Sequence, residues 1–564
     1  MDLTRMTIEN FRGVASLDLS LDSTTAIIGE NNHGKTSIFD VLGLLLGRPD
    51  QTSPRHFRFD DFHRPGGAEP PRPIRVALTF RADGLDEAEE PTDPYQAAVT
   101  QDADGERRVR IEFGGEPESP GVTHRFLDED GESLDPQPPD GTLDAFRRLH
   151  PVLLVRFAQP AGPVAEARPE EVPGGKRRGR RGLEAQVARV YRDLARARGP
   201  VPAETIREGL EAARGLAARL TRDGVPNRDP LRRMLEELVA DPGYGRSYDP
   251  AEHAAARAGS GSHTLGLLMV LGALLDVRGD ELLAPGAHPI IALEEPEVHL
   301  HPTLLASAWS VIDSLKAQTV VTTYSGELLS EVPIRHLRRL VRRPDRIEVY
   351  RVAPGDLSAS DERRVGYHIR AKRGGVLFAR CWILVEGETE FWLIRQLAEV
   401  LGFDLESEGI HVVEFAQCGA QPLLRVANAL GIEWHLLADG DEPGAMYRRE
   451  ALGELNGEPE AERVSRIAEP DIEGCLWRHG YADVYRKAAR MEDGRDGRGR
   501  PASIGKVIAK AARLTSKPWL ALTVAEECAR RGPEGVPPVI RRVIETSVAL
   551  ARAAVTDGAE ALRL

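Results

Sequence analysis

The sequence predicts an α/β protein with two domains in order along the chain, the first interrupted by a helical segment. Three observations predict this class. An apolar strand at residues 23–29 runs into a Gly-rich loop and then into an apolar-faced helix from Lys35. A second apolar strand, 382–385, ends at Glu386 and precedes a helical pattern at 388–400. The length of 564 residues exceeds one ordinary hydrophobic core.

Composition limits the class of protein. With 41% hydrophobic and 29% charged residues, the chain has the composition of a soluble globular protein. No apolar run approaches the roughly 20 residues of a membrane span, and the N-terminus does not have the pattern of a signal peptide. The four cysteines are far apart, which favours reduced thiols in the cytoplasm. The net charge of −14 disfavours indiscriminate nucleic-acid binding, although local basic patches can override it.

The pattern along the chain predicts the domain limits. Antiparallel strands are expected at 73–82 and 107–113, with exposed loops between them and over 114–142. A Pro-, Gly- and Arg-rich stretch and a long helical pattern then interrupt the α/β alternation, which resumes near residue 258. A polar segment, 355–374, leads to the second α/β unit. We therefore expect a first domain at 1–160 and 251–374, a helical insertion at 161–250, and a second domain at 375–564.

The first Gly-rich loop predicts a nucleotide site. IIGENNHGKTS matches G-x-x-x-x-G-K-[ST] from Gly29 through Gly34, Lys35 and Thr36, between a strand and a helix. The glycines let backbone N–H groups approach phosphate oxygens at the start of a helix. Lys35 would reach the terminal phosphates, and the Thr36 hydroxyl would bind the Mg²⁺ that accompanies ATP. The other loop residues expected to line ATP are Asn31, Asn32 and Ser37.

The partner acids are predicted at the end of another buried strand, in IIALEEP. Glu294 takes the metal-side position, where Asp is usual, and Glu295 would orient or deprotonate the attacking water. The alternative interpretation is that two adjacent acids only cap a helix.

The order of these motifs resembles an ABC-type ATPase of the SMC/RecF branch. The segments NFRG at 10–13 and EEPEVHLHP, and Ser260–Gly261 in AGSGSHTLGLL, carry the resemblance. It implies that Ser260 and Gly261 contact the γ-phosphate bound by the opposite subunit, so that the ATPase acts as a homodimer. Read without the resemblance, GSGS is only a loop.

VVTTYS places Tyr324 at the switch position, where the family usually has a histidine. A tyrosine can donate a hydrogen bond to a phosphate but carries no positive charge at pH 7. We therefore expect slow turnover of ATP, or turnover that a partner activates.

A second acidic site is predicted near the C-terminus. Glu386 ends a strand, Gly387 permits a turn, and Glu390 lies in the first turn of the following helix. About fifty residues later another apolar strand ends in Asp439 and Asp441. Carboxylate oxygens without His or Cys select Mg²⁺ or Mn²⁺ rather than zinc. A pair of solvated acidic turns is the alternative.

This second pattern resembles a Toprim domain. An ABC-type ATPase followed by a Toprim domain resembles the OLD (overcoming lysogenization defect) family of ATP-dependent nucleases, over nearly the whole chain. The resemblance implies two metal ions at the Toprim site and dimerisation through the insertion. It also implies a further acid, with Glu473 a better match than Asp471, and a catalytic lysine, with Lys517 a better match than Lys506. Glu386 would be general base or a bridge between the metals.

We therefore predict an ATP-regulated, metal-dependent DNA endonuclease that acts as a homodimer, in phage defence or DNA processing, with a possible helicase partner and no membrane partner. One alternative is a DNA-repair ATPase whose Toprim-like domain only scaffolds. Another is a topoisomerase- or primase-like activity, which would need modules that the sequence does not show. The basic stretches considered for DNA contact are 176–181, 335–346 and 494–500.

Overall fold

The structure is a computed structural model. It describes residues 1–47, 55–64, 70–81, 96–103, 105–156, 287–298, 300, 302–315, 317–372, 374–492, 494–495 and 500–554. The chain forms two compact units: Met1–Val332 with His336–Val349, and Pro333–Arg335 with Tyr350–Leu564. The predicted helical insertion at 161–250 lies outside the described residues.

The first unit contains one large mixed sheet. Its strands within the described residues are β1 Asp2–Phe11, β2 Val14–Ser20, β3 Thr24–Gly29, β4 Ile74–Arg81, β5 Val99–Gln101, β6 Arg107–Glu116, β7 Ser119–Leu127, β8 Val152–Arg156, β9 Ile290–Glu294, β10 Gln318–Thr322, β11 Leu337–Arg342 and β12 Ile347–Tyr350. They lie in the order β5-β6-β4-β1-β2-β12-β11-β3-β10-β9-β8, with β7 on β6.

The strands that lead into the predicted nucleotide site are parallel and fully buried. β3 pairs with β10 and β11, and β9 pairs with β8 and β10, all in parallel register. Every residue of β3, β9 and β10 is buried, which explains their continuous apolar sequences. The carboxyl ends of these strands therefore meet at one edge of the sheet.

The described helices of the first unit are α1 Lys35–Leu46, α2 Thr142–Leu149, α3 Pro302–Asp313 and α4 Gly326–Leu329. The buried face of α1 includes Ile38, Phe39 and Leu42, and it joins the main apolar core of the unit. This packing fixes the start of α1, and therefore Lys35 and Thr36, against the sheet edge.

The second unit has a smaller sheet, in the order β14-β13-β15-β16. Its strands are β13 Cys381–Val385, β14 Ile410–Glu414, β15 Glu433–Ala438 and β16 Val464–Arg466. All three pairings are parallel. The chain passes from β13 to β14 on one side and then to β15 on the other, so that β13 and β15 flank a topological switch point. Ligand sites in open parallel sheets occur at the carboxyl ends of such strands.

The α-helices described in the second unit are α5 Ala359–Lys372, α6 Glu388–Val400, α7 Ala420–Ala429, α8 Glu442–Gly453, α9 Glu460–Arg463, α10 Ile472–Leu476, α11 Ala482–Ala488, α12 Ile504–Leu514, α13 Lys517–Arg531 and α14 Pro538–Ala553. Helices α6, α12, α13 and α14 share one apolar core with β13 and β14. Helix α13 thereby packs against α6.

One expectation from the sequence is wrong. The stretch 114–142 is not all loop, because β6 continues to Glu116 and β7 follows. The polar segment 355–374 contains α5, whose Val365 and Ile369 are buried. Among the described residues, no helix is both long and apolar enough to cross a membrane.

Candidate functional site

The loop between β3 and α1 depends on two glycines. Gly34, the residue before α1, has φ +86°, and a Cβ there would lie 2.9 Å from Ile347 Cδ1. A Cβ on Gly29 would lie 2.9 Å from the carbonyl oxygen of Leu340. A side chain is therefore excluded at both positions, one by conformation and one by close approach. The backbone here has the form that a phosphate-binding loop requires.

Lys35 is buried inside this loop. Its Nζ donates hydrogen bonds to the carbonyl oxygens of Gly29, at 2.6 Å, and Glu30, at 2.8 Å. The ring of Tyr324 lies over the ammonium, with its centroid 4.1 Å from Nζ. Burial lowers the pKa of Lys35 to about 8, against the opposing effect of nearby carboxylates. The ammonium is thus held where phosphate oxygens could replace the two carbonyls.

The structure brings Thr36 and Glu294 together, as expected for two groups that share one metal ion. Thr36 Oγ1 donates a hydrogen bond to Glu294 Oε1 over 2.7 Å. The other carboxylate oxygen accepts from Arg156 Nε over 2.8 Å. Arg156 also pairs with Asp40 on α1. Sequence analysis missed Arg156, although an arginine at the end of the neighbouring strand β8 was a usable signal.

Glu295 follows Glu294 with a left-handed backbone, φ +53°. Its N–H donates to the carbonyl oxygen of Thr322 at the end of β10, over 3.0 Å. Burial raises the pKa of Glu295, and the neighbouring carboxylates of Glu297 and Glu294 add to that rise. A carboxylate with a raised pKa at this edge has the character of a general base.

Glu297 connects the same turn to the switch segment. Its Oε1 accepts hydrogen bonds from Thr323 Oγ1 and from the backbone N–H of Tyr324, each over 2.8 Å. Its Oε2 is buried without a hydrogen-bond partner among the described residues. Burial raises the pKa of Glu297. Sequence analysis missed this residue, although it is the third acid of the string EEPE.

The remaining predicted nucleotide residues are only partly described. Asn31 and Asn32 are exposed in the loop, Asn32 with φ +66°, and Ser37 lies in the first turn of α1. Ser260 and Gly261 lie outside the described residues.

In the second unit, the structure brings the predicted acids to the carboxyl edge of the parallel sheet. Glu386 follows β13 and Glu390 lies in the first turn of α6. Asp439 and Asp441 follow β15, and Glu473 lies in α10, after β16. We refer to these five residues as the acid cluster.

The carboxylates of the acid cluster repel one another. Burial raises the pKa of Asp439 to about 8, and the charges of Glu390 and Glu386 add to the rise. Burial also raises the pKa of Glu390 to about 7, with Glu473 among the further causes. The pKa of Glu386 is raised by burial and then by Asp441. Buried acids that oppose each other's ionisation indicate a functional site.

A lysine enters the acid cluster from α13. Lys517, the first residue of that helix, places its Nζ 3.7 Å from Glu473 Oε1. The same carboxylate oxygen accepts a hydrogen bond from Thr389 Oγ1 over 3.0 Å. The structure thus places Lys517 beside Glu473. Lys506, the other candidate, is exposed on α12.

Gly440 sets the spacing between two acidic segments. Its N–H donates to the carbonyl oxygen of Glu469 over 3.0 Å, and a Cβ there would lie 2.1 Å from that oxygen. Asp441 caps α8 by accepting from Gly444 N over 2.8 Å, and Asp471 caps α10 in the same way. Asp471 is therefore a helix cap, as its position before α10 would have indicated.

The acid cluster suits a divalent metal in its chemistry. All its ligands are hard carboxylate oxygens, which Mg²⁺ and Mn²⁺ prefer. Glu386 Oε2 is buried and has no hydrogen-bond partner in the part of the chain that the structure describes. No three carboxylate, His or Cys side chains of the described residues are already arranged to hold one ion. Ligation by several of these acids would therefore require side chains to reorient.

The prediction that the stretch 335–346 contacts DNA is wrong for two of its arginines. Arg338 and Arg339 lie in the buried strand β11. Arg338 donates to Ser20 O over 2.9 Å and pairs with Asp22 over 2.6 Å. The stretch 176–181 and most of 494–500 lie outside the described residues.

Comparison with known proteins places both units in families. A family model described as a protein of unknown function (DUF2813) matches residues 1–375. A model described as the Toprim domain of overcoming lysogenization defect protein-like proteins matches residues 377–441.

Two relatives match most of the chain. YbjD of Escherichia coli (strain K12), described as uncharacterized, is 36% identical over 98% of this chain and 99% of its own length. The OLD nuclease of Thermus scotoductus (strain ATCC 700910 / SA-01) is 26% identical over 78% of this chain and 82% of its own length.

A solved structure resembles part of the chain. The C-terminal region of the Burkholderia pseudomallei OLD protein is 21% identical, covers 32% of this chain and 100% of its own, and has a TM-score of 0.27. Because that score is low, the assignment depends on the family models and the relatives. The chain belongs to the family described as DUF2813, and it has the OLD-type arrangement of an ATPase domain followed by a Toprim domain.

Proposed function

We propose that the protein binds and hydrolyses ATP and uses the acid cluster to cleave DNA in a reaction that depends on Mg²⁺ or Mn²⁺. The observation that carries the proposal is the approach of Lys517 to within 3.7 Å of Glu473 in a cluster of buried and half-buried carboxylates that oppose one another's ionisation. One relative of the chain is named a nuclease. Carboxylates whose pKa values are raised by burial and by neighbouring charges are typical of functional sites.

The five acids of the cluster would hold the metal ions, two in the two-metal form of the reaction. Bound there, divalent ions supply Lewis-acid polarisation of the phosphate and a water of lowered pKa. Glu386, with its raised pKa and its unpartnered oxygen, would accept the proton of the attacking water. Lys517 would stabilise the negative charge that develops on the phosphate oxygens.

The proposed reaction is phosphodiester hydrolysis. The water oxygen bonds to phosphorus while the bond from phosphorus to the leaving sugar oxygen breaks. The water proton passes to Glu386, and the leaving oxygen takes a proton from solvent. One strand is thereby cut with no cofactor consumed.

In the ATPase domain, Lys35 would turn from its two carbonyl partners to the phosphates of ATP. Thr36 and Glu294 would hold the accompanying Mg²⁺, and Glu295 would orient the attacking water. Ser260 and Gly261 of a second copy would complete the site in a homodimer. We infer that nucleotide state regulates cleavage.

Plasmid cleavage tests the proposal. Purified protein is incubated with supercoiled plasmid and Mg²⁺ or Mn²⁺, with and without ATP, beside Glu386→Ala and Lys35→Ala. We expect wild type to cut, Glu386→Ala to be inactive under every condition, and Lys35→Ala to lose ATP hydrolysis and its effect on cutting. An inactive wild type that still hydrolyses ATP would favour the scaffold alternative.

The biological role is part of the proposal. Defence against phage or DNA processing, with or without a helicase partner, fits a nuclease coupled to ATP. Plaque counts on cells expressing wild type or Glu386→Ala test the defence role. Equal counts in both strains would leave DNA processing as the proposed role.

A further inference from the structure

The segment around Lys517 is basic, whereas the chain as a whole is acidic. From Gly497 to Ala525 there is no Asp or Glu, in a protein with net charge −14. The basic residues of this stretch are Arg498, Arg500, Lys506, Lys510, Arg513 and Lys517. Such segregation of charge indicates a local surface for a polyanion.

Helix α12 arranges three of these cations on one face. Lys506, Lys510 and Arg513 are spaced i, i+4 and i+7, so they share one side of the helix. Val507 and Ala511 are buried and turn an adjacent side of the helix toward the core. Lys506 and Arg513 are exposed, and Lys510 is half-buried. We call Lys506, Lys510 and Arg513 the basic face.

Part of the basic face carries uncompensated charge. Among the described residues, neither Lys510 nor Arg513 has an ion-pair partner. The acid cluster nearby would repel the phosphates of a DNA strand. A strand held against Glu386 therefore needs cations along its path, and the basic face, on the helix that precedes Lys517, supplies them.

The basic face leads to the acid cluster through a short turn. Helix α12 ends at Leu514 and α13 begins at Lys517, the residue beside Glu473. Two residues further on, Trp519 is 50% exposed, whereas Leu520 and Ala521 are buried. The indole is thus not needed to fill the core and offers a flat apolar surface in the first turn of α13.

We propose that the basic face and Trp519 together bind a single-stranded segment of DNA, with phosphates on the basic face and an unpaired base stacked on Trp519. This inference rests on the proposed function and narrows its substrate. Cations on one helix face bind a phosphate backbone without reading sequence. An exposed aromatic ring stacks on unpaired bases, whose faces a duplex hides.

Equilibrium binding without divalent metal tests the basic face separately from cleavage. The probes are a labelled oligo-dT strand and a blunt duplex of equal length, titrated at several salt concentrations in EDTA. In Lys510→Gln with Arg513→Gln, the slope of log Kd against log salt for the single strand should fall by about 1.4, at about 0.7 per lost phosphate contact.

Arg530→Gln is the matched control. It removes an exposed cation from the far end of α13, about 20 Å from Lys517 at the helical rise. We expect this variant to bind both probes as wild type does. Circular dichroism checks that each variant is folded.

Substitutions of Trp519 test whether an unpaired base stacks on its ring. Trp519→Ala should weaken single-strand binding about tenfold and duplex binding much less, and Trp519→Phe should recover most of the loss. Equal losses for the two probes would overturn stacking. Wild-type affinity in all variants, or a wild type that binds neither probe in EDTA, would overturn the surface, whereas plasmid cleavage with Mg²⁺ or Mn²⁺ decides the nuclease proposal separately.

Discussion

The ring of Tyr324 lies over the ammonium of Lys35, 4.1 Å from Nζ to the ring centroid. Since ATP must draw Lys35 toward its phosphates, this contact opposes binding. A cation–π contact at a partly exposed site contributes about 0.5–1 kcal/mol. We therefore expect Tyr324→Ala to bind a non-hydrolysable ATP analogue about two- to fivefold more tightly, as measured by calorimetry.

Tyr324→Phe distinguishes the effect of the ring from the effect of the hydroxyl. It keeps the ring over Lys35, so its affinity for the analogue should match wild type. If the hydroxyl contacts phosphate, its hydrolysis rate should fall. Weaker binding by Tyr324→Ala would show instead that the ring itself contacts the nucleotide.

Glu297 should act as a positioning residue for ATP hydrolysis. It accepts from Thr323 Oγ1 and Tyr324 N, and Glu297→Ala would leave these donors without their acceptor. We expect single-turnover hydrolysis to slow by more than tenfold with little change in analogue affinity. Glu297→Gln keeps an acceptor oxygen and should retain most of the rate. Equal defects in the two variants would contradict this role.

The acid cluster should destabilise the metal-free protein, and bound metal should offset that loss. Glu390 is buried with a pKa of about 7, so at pH 8 its ionised form is desolvated and repelled by neighbours. Glu390→Gln removes that charge, and we expect the metal-free protein to gain about 1–3 kcal/mol of unfolding free energy at that pH. Thermal melts in EDTA and in Mg²⁺ should show a higher Tm without metal and a smaller rise on adding it. A lower Tm in EDTA would contradict burial of the Glu390 charge as the main destabilising effect.

Local patterns in the sequence predicted the elements that carry both sites. α6 spans Glu388–Val400 as expected, because its start follows a strand-glycine turn and its apolar spacing is regular. β7 was missed because Phe126 and Leu127 are the only buried residues in it, so the strand has little alternation. Arg338 was misread because its pairing with Asp22, far away in sequence, neutralises a cation inside a buried strand.

The partners of the site residues were harder to predict. Arg156 and Glu294 are hydrogen-bonded but lie 138 positions apart in the sequence, and Thr389 and Glu473 lie 84 positions apart. Arg156 ends strand β8, which was a usable signal, whereas Thr389 had none, and only the folded topology brings each pair together. The acids themselves could be predicted because each follows an apolar strand, where parallel topology places functional side chains.

His435 should make stability depend on pH. Burial lowers its pKa to about 4, from an ordinary value of 6.5, while its ring nitrogens contact Glu462 O and Ser465 Oγ. Between these pH values the unfolded chain binds a proton that the folded chain does not, so stability falls as pH drops from about 6.5 toward 4. His435→Gln lacks this titration. The Tm difference between wild type and variant should therefore shift in favour of the variant from pH 7 to pH 5; a constant difference would contradict the assignment.

Gly440 and Gly453, at opposite ends of one short segment, should respond oppositely to the same substitution. A Cβ on Gly440 would lie 2.1 Å from Glu469 O, so Gly440→Ala must displace backbone and separate Asp439 from the segment that carries Glu473. A Cβ on Gly453, the last residue of α8, meets nothing within 4 Å. Since alanine is favoured over glycine in helices, Gly453→Ala should gain about 0.5–1 kcal/mol. Gly440→Ala should lose more than about 2 kcal/mol and the Mg²⁺-dependent rise in Tm. Thermal melts with and without Mg²⁺ compare the two variants, and a metal response preserved in Gly440→Ala would mean that this close approach does not position the acids.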